Sequence, residues 1–83
     1  MTLQEIQNEI FSYIEERYEL AGDPDYTIDV NLFDYGFLDS VGATEVIMWL
    51  EEHYDIEITQ KDIVLHSMNT VEEIAEVVMG KVS

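Results

Sequence analysis

Leu32-Phe33-Asp34-Tyr35-Gly36-Phe37-Leu38-Asp39-Ser40-Val41-Gly42 is the stretch on which the reading of this chain turns. As far as Leu38 its apolar residues follow no helical phase. Beyond it they do: Val41, Ile47, Leu50 and Tyr54 share one helical face, which Val46 widens, and a helix is predicted from Ser40 to about Tyr54. Ser40 is a preferred N-cap residue, with Asp39 immediately before it.

Towards the N-terminus, Leu3, Ile6, Ile10, Phe11, Ile14 and Tyr18 recur at helical spacing, and Thr2 and Glu5 have the spacing of a capping box. One amphipathic helix is predicted from Thr2 to about Leu20. Gly22, Asp23, Pro24 and Asp25 then form a turn cluster. Ile28, Val30 and Leu32 alternate, but a strand there has no pairing partner elsewhere, so a long loop pinned to the core by these side chains is expected. A loop of this length in so small a domain is often functional. Towards the C-terminus, Thr59 can cap a short helix from Gln60 to about Leu65. Thr70 and Glu73 repeat the capping-box spacing, and Val71, Ile74, Ala75 and Val78 form the stripe of a last helix ending near Gly80. The expected architecture is an all-α bundle of four helices, with residues 1–83 as a single domain.

Composition narrows the function. The chain has 83 residues, with 19 Asp plus Glu against 3 Lys plus Arg, for a formal net charge of −16. A nucleic-acid binder that neutralises phosphates needs a basic patch, which Arg17, Lys61 and Lys81 cannot build. A polybasic membrane-surface protein is disfavoured for the same reason. A basic partner surface is the natural complement. The apolar content of 47% is that of a globular protein rather than a disordered acidic segment. There is no cysteine, hence no disulfide, zinc-thiolate site or cysteine nucleophile. No apolar run reaches the roughly 18 residues of a membrane span, and the N-terminus lacks a basic-then-apolar signal segment. A soluble, cytoplasmic, monomeric protein is expected.

Most catalytic constellations are missing. An EF-hand loop started at Asp23 would put Ile28 where glycine is needed and Asp34 where glutamate is needed. His53 and His66 have no ligand-spaced partner. A hydrolase elbow requires glycine two residues before its serine, where this chain has Leu38, and nothing in the sequence orients a base towards Ser40. Ser40 is therefore either a simple helix cap or the acceptor of a modification. A helix N-terminus, with unpaired amides and the positive end of the macrodipole, suits a phosphate ester.

The quoted stretch, followed by Glu45-Val46-Ile47-Met48-Trp49-Leu50-Glu51-Glu52-His53-Tyr54-Asp55-Ile56-Glu57-Ile58, resembles the acyl carrier protein family. The family's core is an Asp-Ser dipeptide after a glycine turn, then an acidic helix ending in Leu-Glu-Glu-x-Phe/Tyr-x-Ile/Val-x-Ile. Asn69-Thr70-Val71-Glu72-Glu73-Ile74 is similar to the family's approach to its last helix. The resemblance implies an acyl-carrier-type four-helix bundle with a short third helix and a long first loop. It implies a 4′-phosphopantetheine arm on Ser40, attached from coenzyme A by a phosphopantetheinyl transferase, with Asp39 beside the attachment point and recognised by that enzyme. Acyl or aminoacyl groups would ride on the arm as thioesters, so the domain itself would be non-catalytic.

An acyl- or aminoacyl-activating ligase and downstream acyl-transfer enzymes with basic docking patches are the implied partners. They would read Val41, Thr44, Glu45, Met48, Glu51 and Glu52. Fatty-acid carriers commonly have Asp-Ser-Leu-Asp/Glu; Asp39-Ser40-Val41-Gly42 is closer to D-alanyl, stand-alone aminoacyl or peptidyl carriers. The competing expectation is an acidic interaction domain that binds a basic partner without a prosthetic group. Trp49 is expected to be partly packed on the core, or else to anchor a partner. Met48 is assigned equally to core and interface.

Overall fold

A computed structural model describes residues 1–82. Within it the chain forms four helices and no strand: α1 (Leu3–Arg17), α2 (Ser40–Tyr54), α3 (Gln60–Leu65) and α4 (Val71–Val82). Thr2 and Glu5 make the reciprocal bonds of a capping box at the start of α1, at 3.2 and 2.9 Å. Glu5 sits below the ordinary carboxylate range because the Thr2 amide bonds its charged form. Thr59 and Asp62 cap α3 in the same way. At α4 the device is shifted by one residue. The Thr70 hydroxyl accepts from the Glu73 amide, but the Glu73 carboxylate reaches back to the amide of Asn69 rather than to that of Thr70.

The core is where the helical stripes meet. Ile6, Ile10 and Ile14 of α1 are fully buried against Val71, Ile74, Ala75 and Val78 of α4, with Val46, Leu50 and Tyr54 of α2 closing the cluster. On α2 the expected face is partly corrected. Val41 is 67% exposed, and buried Gly42 takes the place at the first turn nearest the core.

The loop between α1 and α2 is irregular throughout and anchored at several points. Val30 and Leu32 are buried as expected, whereas Ile28 is largely exposed and contributes its carbonyl, which accepts from the Glu72 amide at 3.0 Å. Leu32 N–H donates to Asn69 O at 2.8 Å, tying the loop to the start of α4. Tyr26 adds an anchor the apolar pattern does not announce. Its ring stacks on Phe11, and its hydroxyl donates to Phe11 O at 2.7 Å. Burial raises the Tyr26 hydroxyl well above its ordinary pKa.

Helices α1 and α2 run antiparallel, with a ladder of contacts at four-residue steps on both. Arg17 bonds Glu45 at 2.6 Å, Tyr13 stacks on Trp49 with centroids 4.1 Å apart, and His53 Nε2 lies 3.2 Å from Glu9 Oε1. Tyr54 donates to the same Glu9 oxygen at 2.6 Å. Trp49 is thus packed chiefly on another helix's aromatic ring and only partly on the apolar core.

Candidate functional site

Everything that positions Ser40 lies within a few residues of it. Gly36 has φ of +75°, a conformation that disfavours side chains, and turns the loop back so that Phe37 and Leu38 N–H both donate to Leu32 O at 2.9 and 3.0 Å. Leu38 is buried, which seats the start of α2 on the core. The N-cap is Asp39, not Ser40: its Oδ1 accepts from Gly42 N at 2.8 Å, and its backbone carbonyl accepts from Ala43 N at 2.8 Å. The two adjacent residues are both good caps by type, and the aspartate holds the position. Ser40 is the first helical residue instead, and its side chain is released from capping.

The Ser40 hydroxyl is exposed and makes no hydrogen bond among the described residues. The Ser40 and Val41 amides likewise have no acceptor within the described chain, while those of Gly42 and Ala43 are satisfied by Asp39. An exposed hydroxyl beside two free N–H donors at the positive end of a helix fits a phosphodiester.

Gly42 is a close-approach position. A Cβ there would lie 3.2 Å from Leu38 Cδ2, 3.2 Å from the Tyr18 hydroxyl and 3.4 Å from Asp39 Oδ1. Tyr18, at the end of α1, donates its hydroxyl to Gly42 O at 3.2 Å, and partial burial raises the pKa of that hydroxyl. Neither role is readable in the sequence, because both depend on how α1 and α2 meet. The glycine after Asp39-Ser40-Val41 is the only signal of the contact.

Along α2 the expected partner residues divide. Val41, Thr44, Met48 and Glu52 are exposed on the outward ridge, Met48 at 57%. Glu45 is half-buried and held by Arg17, whose guanidinium is in turn stabilised in its charged form by that hydrogen bond. Glu51 is half-buried, and its carboxylate accepts from Ile58 N at 3.0 Å, which secures the turn after α2. On the other flank of α2 lies a hollow of about 320 Å³, lined among others by Leu38, Ala43, Ile47, Ile63 and Met68. α3 closes one side of it while presenting Val64 and Leu65 to solvent.

An all-helical bundle with an exposed serine at the head of its second helix, capped by the preceding aspartate, fits the carrier family that the sequence resembles. The comparisons agree: residues 8–78 match the phosphopantetheine attachment site family, and the chain belongs to it. Curated relatives include the D-alanyl carrier proteins of Streptococcus mutans and Streptococcus sanguinis. Each is 35% identical over 72 residues, which cover 87% of this chain and 89% of the relative. The D-alanyl carrier protein of Streptococcus gordonii is 32% identical over the same span. The protein is a carrier whose prosthetic group is 4′-phosphopantetheine. No helix among the described residues is long and apolar enough to cross a membrane.

Proposed function

We propose that Ser40 carries the 4′-phosphopantetheine group on its Oγ, that a separate transferase installs it from coenzyme A, and that the cargo is an aminoacyl group of the D-alanyl type. The observation that carries this reading is the unpaired, exposed Ser40 hydroxyl next to the free Ser40 and Val41 amides. The group, when bound, supplies a thiol on a flexible tether, which a chain without cysteine lacks. The residues supply the rest. Asp39 organises the first turn through Gly42 and leaves Ser40 free, and its exposed position beside the serine makes it the natural contact for the transferase.

The domain forms and breaks no bond itself. It presents the tethered acyl group at high effective concentration to enzymes that dock on it. Docking is assigned to Val41, Thr44, Met48 and Glu52, with Glu45 and Glu51 at the flanks. Exposed apolar side chains there give contact area, and the carboxylates give fast, salt-sensitive encounter with Lys/Arg surfaces. The pathway reading rests on the 35% identity to D-alanyl carrier proteins and on this chain's Leu38-Asp39-Ser40-Val41-Gly42, a form that resembles such carriers.

The test of the cargo is loading. The pantetheinylated chain is incubated with ATP, D-alanine and a D-alanine:carrier ligase from a streptococcus, and its intact mass is read. A D-alanyl adduct that hydroxylamine removes is expected. Acceptance of only long-chain acyl groups from an acyl ligase would overturn the aminoacyl reading.

A further inference from the structure

Helix α2 carries three carboxylates, Glu45, Glu51 and Glu52, and two of them are committed within the chain. Glu51 accepts from Ile58 N at 3.0 Å, and Glu45 pairs with Arg17 at 2.6 Å. Glu52 is exposed and forms no ion pair among the described residues. The pairing of Glu45 uses the only arginine of a chain that holds 19 Asp plus Glu.

The surroundings of Arg17 explain how it is held there. It lies in the last turn of α1, where the macrodipole favours a cation, and its guanidinium is 5.5 Å from the Tyr18 ring centroid. Tyr18 in turn donates to the Gly42 carbonyl, so the contact that joins the two helices also delivers Arg17 to α2. Val41, Glu45, Met48 and Glu52 stand at i, i+4, i+7 and i+11, on one helical face, and Glu45 borders the same shallow hollow as Met48 and Glu52. Arg17 therefore neutralises a carboxylate of the docking face itself. The pair is open to solvent, with side-chain exposures of 52% for Arg17 and 36% for Glu45. An ion pair so exposed is weak, and a basic side chain of a docking enzyme can compete for it.

We propose that Arg17 is a specificity-determining residue of the docking face. It occupies Glu45 as an internal ligand, so a basic partner reads Glu52 and the apolar ridge, and gains Glu45 only by displacing the guanidinium. This role presupposes that enzymes dock on that face of α2. The result is weaker docking to basic surfaces than a net charge of −16 would give. The other cations are placed elsewhere: Lys81 is tied to Asp62, and Lys61 lies on α3 with no ion pair among the described residues.

The test measures transfer of phosphopantetheine from coenzyme A to the full apo chain by a phosphopantetheinyl transferase, with KM for the chain and kcat read separately. Arg17→Met keeps the apolar stem and removes the charge. It is expected to lower KM about two- to fivefold, the worth of one exposed ion pair, with kcat unchanged and the amide spectrum reporting that the fold is retained. Glu45→Gln should cost more in the Arg17→Met background than in the wild type, because only there is the carboxylate free for the partner. Lys61→Met, which removes the same charge from α3, should leave KM near the wild-type value. The gain in Arg17→Met should vanish near about 1 M salt, where the screening length is about 3 Å. An unmoved KM in Arg17→Met, an equal fall in Lys61→Met, an equal cost of Glu45→Gln in both backgrounds, or a gain that persists in high salt would overturn the proposal and leave the attachment reading in place. Absence of transfer to Ser40 in the wild type would overturn both.

Discussion

The Tyr18 hydroxyl donates to the Gly42 carbonyl at 3.2 Å, so the residue that ends α1 grips the first turn of α2 two residues beyond the serine. The close approach is possible because residue 42 has no side chain. Tyr18→Phe removes the bond and leaves a half-buried carbonyl with one fewer donor, at a loss of about 0.5–1.5 kcal/mol. Gly42→Leu forces atoms into a space already bounded by Leu38, Tyr18 and Asp39, and should destabilise by about 1–3 kcal/mol despite leucine's better helix propensity. Urea unfolding of the two variants checks this. An unchanged midpoint for Gly42→Leu would show that the contact is not tight in solution.

Lys81 and Asp62 tie α4 to α3 at 2.9 Å. The Thr59 amide, and after it Lys81, hold the Asp62 carboxyl at about 2 against an ordinary 3.8. A carboxyl lowered by folding contributes stability that is present above its unfolded value and lost as pH falls through about 2. Lys81→Met should therefore raise the Asp62 pKa while leaving it below 3.8, since the Thr59 amide remains, and its effect on stability should be visible at pH 6 and vanish below about pH 2. NMR titration of the Asp62 side-chain carboxyl carbon gives the answer directly; an unmoved pKa in Lys81→Met would contradict the pairing.

The acidity has a structural consequence of its own. Sixteen net negative charges are carried on a body measuring 32 × 25 × 19 Å. At about 0.01 M salt the screening length is about 30 Å, comparable to the whole molecule, and near 0.15 M it falls to about 8 Å. The melting temperature should rise steeply over that range and again with millimolar divalent cation, because repulsion is relieved more in the compact state than in the unfolded one. A flat response up to about 0.5 M salt would mean that the carboxylates are spaced widely enough not to matter.

The helices were legible in the sequence because their stripes obey the helical period. Ile6, Ile10 and Ile14, and Val71, Ile74, Ala75 and Val78, are buried where the spacing puts them, and α2 and α3 begin at the expected residues. What the period cannot convey is contact between distant segments. Tyr26 sits in an Asp- and Pro-rich turn that reads as surface, yet it is buried, its ring stacked on Phe11 and its hydroxyl donating a second hydrogen bond to the helical carbonyl of Phe11. The Arg17–Glu45, Tyr13–Trp49 and Glu9–His53 ladder depends on the offset between α1 and α2, which no local pattern encodes. The serine itself was visible from its neighbours, but its capping role was misassigned: aspartate and serine are near-equal caps, and only the geometry shows that Asp39 holds Gly42 N. Val41 was placed both on the core face and on the partner face; its exposure agrees with the second placement, because Gly42 occupies the inward position.

The central claim is that Ser40 is the attachment residue, and intact-mass spectrometry after incubation with coenzyme A and a promiscuous phosphopantetheinyl transferase tests it most directly. The account predicts that the wild-type chain gains the mass of one phosphopantetheinyl group, that fragmentation places it on Ser40, and that Ser40→Ala gains nothing. An unmodified wild type, or an equal gain in Ser40→Ala, would contradict it.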